Sequence, residues 1–172
     1  MALLTDLVQI KRIGEKNRAE NLRFRKHMKS HVFVERQFRK AAQEVEDQID
    51  CRACAQCCRV ADVQIVERDA EKLAKYLGIP EKKFIAEYTA EDAEGVPILK
   101  RGKTGCVFLV GNDCSVYDAR PGNCERFPNL LRGAGSMQSK MWQMVDRATY
   151  CPIVFNWIEK VKTLTNFRSS AG

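Results

Sequence analysis

Histidine is almost missing from this 172-residue chain: there are two, His27 and His31, and none beyond. Any metal site past residue 31 must therefore be built from thiolates, with a carboxylate or an open position as supplement. No run approaches the roughly 18 apolar residues that a membrane-crossing helix needs. Residues 1–10 are apolar but short and broken by Asp6, with no basic stretch before them and no small-residue cleavage site after, which argues against a secretory signal. Glu15, Glu20 and Glu35 argue against an Arg-rich organelle presequence, so the expected location is cytoplasmic. The chain has no nucleophile–base pair, phosphate loop, paired carboxylates, or nucleotide, flavin or nicotinamide motif, and so none of the usual enzyme signatures. Repeats and low-complexity segments are absent too.

Cysteine is abundant, with eight residues. Four fall within Cys51-Arg-Ala-Cys54-Ala-Gln-Cys57-Cys58, and Cys106, Cys114, Cys124 and Cys151 are spread along the C-terminal half of the chain. Eight thiols would suit four disulfides in an oxidising compartment, but the missing signal and the Cys-x-x-Cys spacing favour reduced thiolates holding metal. The steps Cys51 to Cys54 to Cys57 reproduce the first spacings of the bacterial ferredoxin run, whose last cysteine precedes proline, as Cys151 precedes Pro152. The Cys-x3-Cys-x2-Cys run of radical S-adenosylmethionine chemistry does not occur. Vicinal Cys57 and Cys58 are awkward on one mononuclear metal, because successive side chains of extended backbone diverge. Two centres or a multinuclear cluster suit them better than one simple zinc.

The formal charge is +7, and it is unevenly placed. Residues 11–40 hold eleven Lys or Arg against three acidic residues, a net +8. From about Thr5 to Ile49 helix formers dominate. Phe24, Met28, His31, Val34, Phe38, Ala41, Val45 and Ile49 recur every three or four residues, which predicts one long amphipathic helix with its cations mostly on the other faces. That pattern suits a solvated face on a helix packed against its own domain, a docking arm for an acidic partner such as nucleic acid, a ribosome or an anionic surface, or a short coiled coil. His27 and His31 are i,i+4 neighbours without a convincing third ligand, and are read as seam or surface residues.

Further along, residues 60–66 read as a strand and 67–77 as a helix stopped by Gly78. Pro80 opens a second short helix through Glu87 with Phe84, Ile85 and Tyr88 inward. Residues 96–99 and 106–110 resemble a hairpin across the 100–105 loop, and Gly111-Asn-Asp turns the chain so that Cys106 and Cys114 meet. Residues 117–127 run from a turn into a short helix. Gly133-Ala-Gly135-Ser136 reads as an ordinary loop, 142–150 as a strand, and Pro152 as the start of a last helix with Val154, Ile158, Val161 and Leu164 facing the core.

Cys54-Ala-Gln-Cys57-Cys58, Gly105-Cys106-Val-Phe108-Leu109, Cys114-Ser-Val-Tyr117-Asp-Ala-Arg120-Pro121-Gly-Asn-Cys124-Glu-Arg-Phe127-Pro128 and Cys151-Pro152 together resemble the CxxCxxCC family, also called the YkgJ-type cysteine cluster. The resemblance spans roughly residues 50–155 and implies a small zinc- or iron-chelating domain. It implies all eight cysteines, Cys51, Cys54, Cys57, Cys58, Cys106, Cys114, Cys124 and Cys151, as metal ligands. Arg120 beside Pro121 suits a guanidinium set against anionic sulfur, and Tyr117 a wall that excludes water; both are expected to line the cofactor. Relatives labelled iron–sulfur oxidoreductase, and a flagellin lysine N-methylase with a similar motif, keep open an enzyme acting with a partner protein.

The expectation is an α+β chain: a basic helical arm (1–49), a small cysteine-rich metal-binding domain with short strands and several helices (50–168), and a flexible tail (169–172). Its cofactor is an iron–sulfur cluster, 4Fe–4S foremost, or zinc. The module is structural or redox-sensing, docked through its basic helix to a protein or ribonucleoprotein assembly, with nucleic acid as a second partner class.

Overall fold

Asparagine, β-branched residues and glycine set the breaks between helices in the computed structural model, which describes residues 2–168. The expected tail at 169–172 lies outside the described residues. The helices are α1 (Leu7–Lys16), α2 (Arg18–Ser30), α3 (Glu35–Glu46), α4 (Cys51–Cys54), α5 (Gln56–Val60), α6 (Glu67–Leu77), α7 (Glu81–Tyr88), α8 (Gly122–Arg126), α9 (Met137–Arg147) and α10 (Pro152–Leu164). Between α7 and α8 run β1 (Thr89–Glu91), β2 (Pro97–Leu99), β3 (Arg101–Gly102), β4 (Gly105–Cys106), β5 (Leu109–Val110) and β6 (Asp113–Cys114), then a 3-10 turn at Tyr117–Ala119. The mixture of helices and short antiparallel strands is α+β, as expected.

The single long N-terminal helix does not form; three helices replace it. Asp6 caps α1 by accepting from the Gln9 amide at 2.8 Å, and Asn17 separates α1 from α2. At His31-Val-Phe-Val34 the chain turns extended, with His31 at φ −128°, ψ 151°. Two β-branched valines disfavour helix there, and the Ser30 hydroxyl donates to the His27 carbonyl instead of leaving the backbone to propagate. Much of the seam survives: Phe24, Met28, Phe38, Ala41 and Val45 are buried, whereas Val34 is exposed.

The chain divides into two compact units. One holds the segment up to Asp50 and the segment from Pro128 onward; the other is Cys51–Phe127. In the first, α10 packs on α3, α1 and α9, and α2 lies along α9. Trp157 is fully buried and donates from Nε1 to the Phe38 carbonyl at 3.1 Å. Asn156 ties down the N-terminal segment by exchanging two hydrogen bonds with the Leu4 backbone, at 2.9 and 2.7 Å. Lys162, with only 7% of its side chain exposed, is satisfied by Glu20 at 2.5 Å and Glu159 at 2.8 Å, as a buried ammonium requires. Residues 142–150 are not a strand. Ser136 caps α9, and Met137, Met141, Met144 and Val145 bury one face at helical spacing.

The second unit surrounds Ile65, Ala70, Leu73, Phe84, Leu99, Phe108 and Val116, with Cys106 and Cys114 packed at the edge of this core. α6 ends where expected, with Gly78 left-handed at φ 68°. Residues 60–66 form no strand, only a one-residue bridge between Gln64 and Ile98. β2 pairs not with 106–110 but with β1, Thr89 opposite Leu99. The hairpin falls largely within the expected loop, Arg101 opposite Cys106 and Gly102 opposite Gly105 across Lys103 and Thr104, and Gly105 closes the turn at φ 134°. The Gly111–Asn112 turn joins β5 to β6 as expected.

Candidate metal centre

Seven of the eight cysteines lie in the Cys51–Phe127 unit and no disulfide joins any of them. Cys51 and Cys54 bound α4, and Cys57 and Cys58 sit on α5. Between the two helices Ala55 takes a left-handed conformation (φ 47°) while 3% exposed. A non-glycine residue held there costs on the order of 1–3 kcal/mol, a cost that recurs at functional sites. This bend re-aims the chain between Cys54 and Cys57, which is how the Cys-x-x-Cys steps become a knot instead of a continuous helix.

The remote cysteines are brought in by glycine and by polar ties. Gly105 packs flat on α5: a Cβ there would meet the Cys58 carbonyl oxygen at 2.5 Å and the Arg59 Cα at 2.8 Å. That approach sets Cys106 beside the vicinal pair. Cys114 ends β6, whose turn is anchored to the knot. Arg59 donates to the Gly111 carbonyl (2.9 Å) and the Cys54 carbonyl (3.2 Å), and the Asn112 amide donates to the Ala53 carbonyl (2.9 Å). Cys124 lies in α8, whose first amide, Gly122 N–H, donates to buried Asp69 at 2.9 Å. Lys72 clasps the same turn through the Arg120 carbonyl (2.5 Å) and Glu125 (2.8 Å), and this bond holds the Glu125 carboxyl below its usual range.

Cysteines from three elements, Cys106, Cys114 and Cys124, feel the charge of a fourth, Cys58. The Cys58 thiol is lowered to about 6, first by a hydrogen bond with Cys57 and then, against burial, by Arg59 and Arg120. Cys124 is pushed up to about 12, by burial first and then by Cys106, Cys58 and Cys114. Burial likewise raises Cys106 and Cys114, with the Cys58 charge adding to both. The set readily carries one thiolate and resists carrying four, the condition that a bound cation relieves by displacing the remaining protons. An all-sulfur donor set with no imidazole fits zinc or an iron–sulfur cluster. As placed, no group of three or more Cys, His, Asp or Glu among the described residues meets metal-holding geometry, so loading would have to draw the sulfurs inward.

Arg120 and Tyr117 stand beside these thiols. The Arg120 guanidinium lies 3.6 Å from the centre of the Tyr117 ring, and its Nε donates to the Tyr117 carbonyl at 2.9 Å. Its charge favours the thiolates of Cys58, Cys114 and Cys124. Arg52 also lies over that ring, at 4.7 Å. Cys151 belongs to the helical unit, 5% exposed, where it caps α10 and its amide donates to the Arg147 carbonyl at 2.7 Å. Among supporting residues, Gly105 appears in sequence only as a motif position; Arg59, Asn112 and Asp69 carry no sequence signal, since the partners Gly111, Ala53 and Gly122 are 52 or more residues away. His27 and His31 meet as tilted rings, 4.2 Å between centroids, within an aromatic group containing Phe24, Phe33 and Phe167.

No curated protein and no solved structure matches the chain. One family model does, over residues 50–152, a span that takes in all eight cysteines. Through that match the chain belongs to the CxxCxxCC family, described as "Putative zinc- or iron-chelating domain".

Proposed function

We propose that the protein is a metal-binding module in which Cys58, Cys106, Cys114 and Cys124 form the heart of the centre. Cys51, Cys54, Cys57 and Cys151 complete the ligand set, and Arg120 and Tyr117 flank it. The observation that carries this reading is that Cys106, Cys114 and Cys124, from β4, β6 and α8, are each raised in part by the charge of Cys58 on α5, which burial and the Gly105 contact hold close to them. A zinc would cross-link these elements; a 4Fe–4S cluster would add a one-electron couple and make the module redox-sensing. The chain's own contribution is to gather the sulfurs, hold Arg120 against their negative charge and wall one side with Tyr117. The basic helices α1 and α2 attach the module to an anionic partner.

The test is anaerobic purification followed by assay of iron, acid-labile sulfide and zinc together with the visible spectrum. Bound metal that disappears in Cys58→Ser and Cys124→Ser is the expected result. Colourless protein with zinc alone removes the redox role, and protein that binds neither metal removes the reading altogether. Unchanged metal content in Cys151→Ser would take that residue out of the ligand set.

A further inference from the structure

Of six exposed large apolar side chains on the helical unit, which include Val8 on α1 and Leu164 on α10, four belong to α2, α9 and the segment that follows α2: Val32 is 101% exposed, Val34 64%, Trp142 59% and Leu22 44%. Exposed apolar residues scattered singly mean little, but a group does, and helix packing groups these. α2 and α9 run antiparallel. Arg18 at the start of α2 pairs with Asp146 near the end of α9 at 3.5 Å. Gln138 at the start of α9 donates to the Met28 and His31 carbonyls at 2.8 and 3.1 Å. Gln138, Trp142 and Asp146 are successive i,i+4 neighbours, so Trp142 stands midway along this seam. Leu22 is one turn beyond Arg18 and stands at the same level. The Val32 to Val34 segment leaves from the His31 end. Leu22, Lys26 and Lys29 continue one stripe of α2, both lysines exposed, within the stretch that carries a net +8. The result is an apolar ridge edged by cations.

We propose that this ridge seats the protein on the surface of an anionic lipid bilayer. The inference rests on the docking part of the reading above and is independent of the metal centre. Charge complementarity requires an anionic partner, and the apolar component selects among anions. Surfaces that hold single-stranded nucleic acid rely on aromatic platforms for bases, whereas three of these four side chains are aliphatic. A tryptophan and aliphatic side chains flanked by lysines match the interfacial layer of a membrane, where rings sit at headgroup level and lysines reach anionic lipid. Binding is peripheral, since no helix among the described residues is long and apolar enough to cross.

Trp142 supplies the readout, because the other tryptophan, Trp157, is fully buried. The full chain, metal-loaded as purified, is titrated with phosphatidylcholine vesicles with and without phosphatidylserine, following tryptophan emission and vesicle flotation. A blue shift and saturable flotation with anionic vesicles alone are expected. Lys26→Gln with Lys29→Gln should weaken binding about thirtyfold, taking each cation near the surface at its usual worth. Val32→Asp should weaken it about tenfold by losing one immersed side chain. Circular dichroism checks the fold, and metal content measured on the same samples separates failure of this inference from failure of the metal reading. The inference is overturned by no vesicle binding, by equal binding to neutral vesicles, by undiminished affinity in Val32→Asp, or by tight RNA binding without vesicle binding.

Discussion

Replacing Gly105 by alanine tests how the centre is assembled. The added methyl would lie 2.5 Å from the Cys58 carbonyl oxygen, 2.8 Å from the Arg59 Cα and 3.2 Å from the Cys58 carbonyl carbon. All three are backbone atoms of α5, so no side chain can rotate away. Gly105 also sits at φ +134°, where a side chain is strained. That strain costs on the order of 1–3 kcal/mol, and forcing the contact apart about as much again. The sum is about 2–6 kcal/mol, or a fall in urea midpoint of about 1–3 M at a slope near 2 kcal/mol per M. Gly102, its partner across the hairpin, is the control, because a Cβ there meets nothing closer than 4.0 Å. Both tryptophans lie outside the Cys51–Phe127 unit, so its unfolding is followed by thiol labelling, to which seven cysteines of that unit contribute. Gly105→Ala should label at lower urea than Gly102→Ala and retain less metal, since displacing β4 moves Cys106 from Cys58. Indistinguishable midpoints and metal content for the two variants would refute the close-packing argument.

Arg120→Gln removes a charge that favours three of the four converging thiolates, and zinc affinity measured by competition with a chromophoric chelator should fall about tenfold. Arg120→Lys should recover part of this loss; parental affinity in the glutamine variant would leave the guanidinium no role at the centre. His27 is held below its usual value of 6.5 by burial first and then by the His31 charge, with the Thr165 backbone acting in the opposite direction. A lowered folded-state value means that the neutral ring is favoured on folding. The helical unit should therefore keep full stability above about pH 6.5 and lose it as pH falls through the folded value. Urea midpoints from tryptophan fluorescence at pH 8 and pH 5 check this, with His27→Phe expected to flatten the difference.

What the sequence reveals here depends on distance along the chain. Helices α6, α7, α8 and α10 are readable because their signals are local: Gly78 after the apolar stripe of α6, Pro80 before α7, Pro152 opening α10. The break at residues 31–34 is hidden because Val34 continues the helical spacing while its branched side chain opposes it. The pairing of β2 with β1 instead of 106–110 is hidden because the two-residue turn between Gly102 and Gly105 admits a tighter hairpin than apolar alternation alone suggests. All eight thiols are visible as candidate ligands from composition and spacing. Which of them share an electrostatic environment is not, since Cys58, Cys106, Cys114 and Cys124 meet through Arg59, Asn112 and Asp69, whose partners are distant in sequence. The strand reading of 142–150 fails because the buried face of α9 is completed by methionines, which suit either structure.

The helical unit is made from both ends of the chain, and this imposes an order in time. When α1 to α3 have been synthesised, α9 and α10, which cover Phe24 and Phe38, do not yet exist. At ordinary rates of translation the interval until α10 is complete is on the order of ten seconds. During that interval residues 51–127 can collapse on their own core and their thiols can meet metal, while α1 to α3 wait for the helices that cover them. A defect at the centre would thus arise in a nascent chain whose other unit is still open, making cysteine variants a hazard of synthesis as well as of the finished protein.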